Sequence, residues 1–210
     1  TKIMIKVGII DCEFGNIASL VNAVHYLNYD FEIIKKPKNL DKVTHLFLPG
    51  VGSFYDSTKK LRESGLAESI KEFVKSHKPL MGICLGMQLL FEEGAEDGKQ
   101  NGLGFFEGKC ELFNKNLNLQ LPHIGFNNVD HSASKIWNEI PNDSSFYFVH
   151  SYRIITKKNN EIKTNKICST FYGENFISFI EKDNIFGAQF HPEKSHQVGL
   201  KLIKNFIELT

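Results

Sequence analysis

Apolar residues in the first half of the chain follow two alternating periods. The segment "IKVGIID" (residues 5–11) is almost continuously apolar and ends in a polar loop, the pattern of a strand covered on both faces. Ile17, Leu20, Val21, Val24 and Leu27 then recur at i, i+3, i+4, i+7 and i+10, which predicts a helix. "FEII" (31–34) and "THLFLPG" (44–50) read as the second and third strands, the latter closed by Pro-Gly. Helical segments follow over 53–64 and 66–77, with Gly65 as the break between them. "KPLMGI" (78–83) is a fourth strand, and "LGMQLLFEE" (85–93) reads as the helix after it.

The second half is richer in β-branched and aromatic residues. "FFEGKCELF" (105–113), "SSFYFVHSYRII" (144–155), "ICSTFY" (167–172), "NFISFIE" (175–181) and "NIFGAQF" (184–190) are expected strands. Val198, Leu202, Phe206 and Leu209 mark a closing helix over 195–209. The pattern predicts an α/β fold: a mostly parallel central sheet with helices on both faces and a strand-rich second half, in one domain over residues 1–210. In open parallel sheets, reactive groups gather outside the carboxyl ends of the strands. Asp11, the Pro49–Ser53 turn and Cys84 all fall at that edge.

Composition narrows the function classes. With 210 residues, 41% of them hydrophobic and 23% charged, the chain suits one well-packed soluble domain. A net charge of +1 argues for no nucleic-acid partner and no membrane surface, since both call for a concentrated basic patch. The Lys-rich "TKKNNEIKTNK" (156–166) mixes in Asn and Glu and reads as a solvated loop. No apolar run approaches the ~20 residues of a membrane-spanning helix. "TKIMIKVGIID" enters a strand pattern directly, so no signal peptide is expected. Cys12, Cys84, Cys110 and Cys168 form no CxxC pair, which favours reduced thiols in the cytoplasm over disulfides or a zinc site. His123, His131, His150 and His196 lack ligand spacing and read as satisfied structural histidines, so no metal and no cofactor is expected.

Four stretches can carry chemistry. Gly82-Ile83-Cys84-Leu85-Gly86 has the form G-x-C-x-G, the cysteine version of the sharp strand-to-helix turn that exposes a nucleophile. There the thiol would stand at a helix amino terminus, whose dipole and free N–H groups favour thiolate. The Leu85 N–H could point at an oxygen developing negative charge. A buried structural cysteine among small residues is the competing reading. In "QFHPEKS" (189–195), His191 and Glu193 are two apart, so an extended segment would put both side chains on one face. Glu193 could then hold the far ring N–H while His191 serves as base, the alternative being a surface His-Pro-Glu turn. The turn in "LPGVGSF" (48–54) can aim the N–H of Val51 or Gly52 at the same oxyanion; a phosphate cradle would need a Lys-Ser/Thr ending that is missing. Gln88, one helical turn beyond Cys84, suggests a substrate contact, with a solvent-facing glutamine as the plainer possibility.

The stretches "LPGVGSF", "GICLGMQLLFEEG", "GLGFFEG" (102–108), "LPHIGFNNV" (121–129), "YFVHSY" (147–152) and "QFHPEKSHQVGLKL" (189–202) together resemble the class I, triad-type glutamine amidotransferases along nearly the whole chain. Within that family they look most like the glutaminase subunits of imidazole glycerol phosphate synthases. The resemblance implies a flavodoxin-like three-layer fold and a Cys84–His191–Glu193 triad that hydrolyses glutamine through a glutamyl thioester. It also implies oxyanion donors at Gly52 and Leu85, and glutamine contacts from Gln88, Ser151 and Tyr152. The implied partner is a (β/α)8-barrel cyclase subunit, joined as a heterodimer, that takes the ammonia. Two stretches depart from the family pattern: Asp11-Cys12-Glu13-Phe14-Gly15-Asn16 stands where D-Y-G-x-G-N is usual, and Phe126 where tryptophan is typical. Paralogues that feed ammonia to a sugar amidotransferase for surface-glycan amidination are therefore the alternative. A stand-alone Cys-elbow hydrolase and an inactive binding scaffold stand further off.

Overall fold

The computed structural model describes residues 4–11, 17–95, 99–131, 134–156 and 166–209. Strand β1 (Lys6–Ile10) leads to helix α1 (Ala18–Tyr26), strands β2 (Asp30–Ile34) and β3 (His45–Gly50), and helices α2 (Phe54–Glu63) and α3 (Leu66–Lys75). Strand β4 (Leu80–Cys84) runs straight into the short helix α4 (Leu85–Leu89). Then come β5 (Phe91–Gly94), β6 (Gln100–Asn101), β7 (Phe106–Leu112), β8 (His123–Asn128), β9 (Ser145–His150) and β10 (Tyr152–Ile155). The chain closes with β11 (Lys166–Tyr172), β12 (Glu174–Lys182), β13 (Ile185–Ala188) and helix α5 (His196–Ile207).

The central sheet has seven strands in the order β11-β12-β13-β4-β3-β1-β2. Strands β2, β1, β3, β4 and β13 are parallel, in the flavodoxin-like order of a doubly wound sheet, and β12 and β11 extend it antiparallel. Because side chains alternate along a strand, each strand feeds two cores. Val7, Ile9, Phe47, Met81 and Ile83 pack with Leu20, Val24, Leu202 and Phe206 of α1 and α5 on one face. Ile10, Leu46, Leu48 and Leu80 pack with Leu61, Ile70 and Phe73 of α2 and α3 on the other. This double covering explains why the strands read as apolar runs rather than alternating ones. Gly65, at φ +76, makes the turn between α2 and α3, as its position in the sequence predicts.

Three expectations need correction. The helix expected over 85–93 stops at Leu89, and Phe91–Gly94 is a strand that pairs with β6 and β7. The cause is competition for carbonyls: those of Leu89, Leu90 and Glu92 accept from the N–H groups of Leu103, Phe105 and Gly102, which pulls the backbone out of the helix. The single run expected over 144–155 breaks at Ser151 into β9, paired with β8, and β10, paired with β7. The His-Pro-Glu segment is not extended: Pro192–Lys194 forms one 3₁₀ turn with His191 at its start. Cys12–Asn16 and residues 157–165, which hold the departing loop and most of the Lys-rich stretch, lie outside the described residues. Cys84, Cys110 and Cys168 are buried. Among the described residues, no helix is long and apolar enough to cross a membrane.

Candidate active site

Cys84 is the last residue of β4 and sits at φ +54, ψ −113, a conformation that costs a non-glycine residue about 1–3 kcal/mol. Two close approaches hold it there. A Cβ on Gly86 would lie 1.7 Å from the carbonyl oxygen of Leu48 in β3, and one on Gly82 would lie 2.5 Å from the Gly86 oxygen. Glycine at both places lets β3, β4 and the start of α4 close up and turns the chain sharply at the cysteine. Helix α4 has only five residues, so what it offers the thiol is its first free N–H groups rather than a long macrodipole. Cys84 is 6% exposed. Its sulfur lies 3.8 Å from the carbonyl oxygen of Val149 and 3.7 Å from Nε2 of Gln189.

His191 follows β13, the strand beside β4, and is buried. Its backbone N–H donates to the Tyr147 carbonyl at 2.8 Å. The buried Ser195 hydroxyl donates to the His191 carbonyl at 2.6 Å and accepts from the Tyr147 N–H at 2.9 Å, so the turn is clamped to β9. Nδ1 of His191 lies 2.7 Å from Oε1 of Glu193. The 3₁₀ turn brings the two side chains together where an extended backbone was expected to do so. On the far side of the ring, Nε2 is buried without a well-formed hydrogen bond, but Cys84 is close enough to dominate it electrostatically. Burial alone would push the imidazole pKa down. Cys84 and then Glu193 more than offset that, and His191 is pushed up to about 10. The ring thus interacts with Cys84 on one side and Glu193 on the other.

The sign of the resulting pH dependence is fixed. His191 holds its proton more tightly folded than unfolded, so its stabilisation is complete below about 6.5 and is lost as pH rises through about 10. Cys84→Ala removes the largest favourable cause. Its unfolding free energy is expected to decline less between pH 7 and 10 than that of the parent protein. Equal slopes in urea titrations across that range would show that the sulfur and the ring are not coupled.

The structure brings most of the other candidates to this edge. Gly50 pairs with Cys84 in register, so Val51 and Gly52 follow directly beside that cysteine. Val51 is 44% exposed, while Gly52 has φ +103 and open space where a Cβ would stand. Leu85 is buried at the first helical position. Gln88 is buried, not solvent-facing: its Nε2 lies 3.3 Å from the Tyr152 carbonyl and 3.0 Å from Oε1 of Gln189. Ser151 and Tyr152 link β9 to β10; the Ser151 carbonyl accepts from the Phe113 N–H at 3.1 Å, and the Tyr152 carbonyl faces Gln88. Sequence reasoning missed Gln189, which touches the sulfur; its polarity inside an apolar run was the available signal. His123 and His150, expected to be structural, are satisfied by each other at 3.1 Å, by Asn127 and by the Tyr152 carbonyl. Burial, with the nearby histidines, drives the His150 pKa down to about 3, so that ring is neutral beside the charged His191.

An imidazolium beside a cysteine in a strained turn, with peptide N–H groups at hand, suits attack on an acyl carbon. A family model described as glutamine amidotransferase class-I matches residues 8–209. The chain is 44% identical over 205 residues to the "Imidazole glycerol phosphate synthase subunit HisH 1" of Campylobacter jejuni strain RM1221, covering 97% of this chain and 100% of that protein. It is 42% identical over 204 residues to the "Imidazole glycerol phosphate synthase subunit HisH 2" of Methanococcus maripaludis, covering 96% and 98% respectively. Among solved structures, the PurLQS structure from Thermotoga maritima matches with a TM-score of 0.76 at 17% identity, over 98% of each chain, a likeness of fold.

Proposed function

The chain belongs to the class-I glutamine amidotransferases, and from that premise we propose that it is the glutaminase subunit of an imidazole glycerol phosphate synthase. In this role it hydrolyses glutamine at Cys84 and hands the ammonia to a (β/α)8-barrel cyclase subunit in histidine biosynthesis. The observation that carries the reading is the strained Cys84 beside a buried His191 whose Nδ1 is held by Glu193 at 2.7 Å. The full-length relatives, named as subunits of that synthase, support the choice of partner.

In this reading Sγ of Cys84 attacks the side-chain amide carbon of glutamine, and the oxygen takes up negative charge. The Leu85 N–H and the N–H of Val51 or Gly52 receive that charge. Protonated His191 gives its Nε2 proton to the nitrogen, the C–N bond breaks, and ammonia leaves a thioester on the sulfur. Water then gives a proton to His191 and attacks the thioester; glutamate departs and the thiolate is restored. Glu193 keeps the ring oriented and offsets its charge throughout. Gln88, Ser151 and Tyr152 border the glutamine pocket. The scheme uses no metal and no cofactor.

Ammonia released into neutral water becomes unreactive ammonium, so an acceptor must sit over the site. The hairpin of β8 and β9 supplies a surface for one. Its Val149 carbonyl touches the sulfur, while Ile124, paired with Val149, is 60% exposed and Phe126 is 48% exposed. Exposed apolar residues clustered beside a reactive group are the mark of a partner surface. Adding the cyclase is expected to raise glutamate release at least tenfold and to give a heterodimer in size-exclusion chromatography. Phe126→Ala is expected to weaken that complex about tenfold, as loss of an aromatic interface anchor does. A cyclase that neither binds nor stimulates would assign the ammonia to another acceptor, such as a sugar amidotransferase.

A further inference from the structure

Gln189 stands in a fully buried run: β13 is apolar throughout, Phe190 follows, and Gln189 itself is 0% exposed. A buried amide costs free energy unless all its polar atoms are used, and an apolar side chain would fill this position without that demand. Its two ends are both occupied. Oε1 accepts from Nε2 of Gln88 at 3.0 Å, and Nε2 points at the Cys84 sulfur at 3.7 Å, within reach of the larger sulfur atom. The shape of an amide does not distinguish its oxygen from its nitrogen, so the surrounding network must assign them. One group does so. The Tyr152 carbonyl can only accept, and it faces both Nε2 of Gln88 at 3.3 Å and Nδ1 of His150 at 2.7 Å.

The assignment then runs outward in two arms. In the first, Gln88 turns its nitrogen toward Tyr152, the same nitrogen donates to Oε1 of Gln189, and Gln189 is left presenting N–H to the sulfur. In the second, His150 carries its proton on Nδ1, so its Nε2 accepts from Nδ1 of His123 at 3.1 Å, and His123 ends on Asn127 in the exposed hairpin. We propose that Gln189 is a further catalytic residue: its amide N–H, held in direction by Gln88 and the Tyr152 carbonyl, donates to the Cys84 sulfur and stabilises it as the thiolate. The proposal rests on Cys84 being the nucleophile and goes beyond the triad. His191 supplies charge to the sulfur from one side and Gln189 supplies a fixed dipole from another. Among the described residues, the titratable groups joined to this network are His191, which interacts with Cys84, Glu193 beside it, His150 on β9 and His123 on β8. None of them can replace an N–H lost from Gln189.

The test is alkylation of Cys84 by iodoacetamide, in which the thiolate displaces iodide, followed peptide by peptide in the intact protein across pH 5–10. This readout needs no glutamine, so it is independent of whether glutamine is the substrate. Gln189→Leu is expected to slow alkylation at pH 7 about tenfold, to move the rate–pH profile toward higher pH, and to lower kcat with KM for glutamine within about twofold. Gln189→Glu, which keeps the shape and loses the donor, is expected to move the profile further, because its carboxylate faces the sulfur. If Gln189→Leu does not fold, Gln189→Glu alone decides. Profiles that coincide with that of the parent protein, whatever happens to thermal stability, would reduce Gln189 to a packing residue and overturn the proposal.

Discussion

Cys84→Ala is expected to lower glutamine hydrolysis about 10⁴-fold or more while leaving the fold intact. Removal of a covalent nucleophile abolishes the low-energy route, and what persists is the modest acceleration from binding and oxyanion donors. The fold has little reason to respond. The side chain is small, alanine at φ +54 bears the same backbone strain as cysteine, and among the described residues the sulfur's polar contacts are the Val149 carbonyl, Gln189 and His191. The loss is electrostatic, since His191 loses the larger of the two influences that together offset its burial, and its proton becomes easier to remove. Glutamate release under saturating glutamine, with circular dichroism and a thermal melt to verify folding, makes the measurement. Turnover above about 1% of the parent protein would place the chemistry on another residue, and the proposed function would fail with it.

The strained turn at Cys84 was legible in the sequence because its requirements are local. A strand, a sharp turn and a helix start can be read from the stretch Leu80–Leu89, and the two glycines state where backbone must approach backbone. His191 and Glu193 could be singled out for a different reason: a histidine and a carboxylate around a proline have few ways to be arranged. Even so, the 3₁₀ turn that pairs them was not foreseen, because short turns are settled by clamps such as Ser195 on Tyr147 that come from distant sequence. Two features escaped for tertiary reasons. Strand β8 reads His-Ile-Gly-Phe-Asn-Asn with its apolar Ile124 and Phe126 facing outward and His123 buried, the reverse of the pattern that signals a strand. Strand β5 hid inside an apparent helix because its fate depends on backbone N–H groups from residues 102–105. Gln189 illustrates the same limit. A polar residue in an apolar run signals a role, but which atom it serves is known only once β13 lies beside β4.

Gly86→Ala is expected to destabilise the protein by about 3 kcal/mol or more, at or beyond the top of the usual range for overpacking a core. The added methyl carbon would stand 1.7 Å from the Leu48 oxygen and 2.8 Å from its carbonyl carbon, and neither is the tip of a flexible side chain. Leu48 belongs to β3, which is held by β1 on one side and β4 on the other, so the strand cannot retreat without breaking register with both. Helix α4 must yield instead, and it begins at Leu85, one residue after Cys84. Whatever fraction still folds should therefore lose activity as well as stability, because the Leu85 N–H and the turn at Cys84 move with the helix. Gly52→Ala makes the contrasting case. No atom lies within 4 Å of its Cβ position, so only its φ of +103 resists, at a cost of about 1–2 kcal/mol. Urea unfolding of both variants separates the two mechanisms. A Gly86→Ala protein within 1 kcal/mol of the parent protein would mean that the close approach of β3 to α4 is not what holds Cys84 in its strained turn.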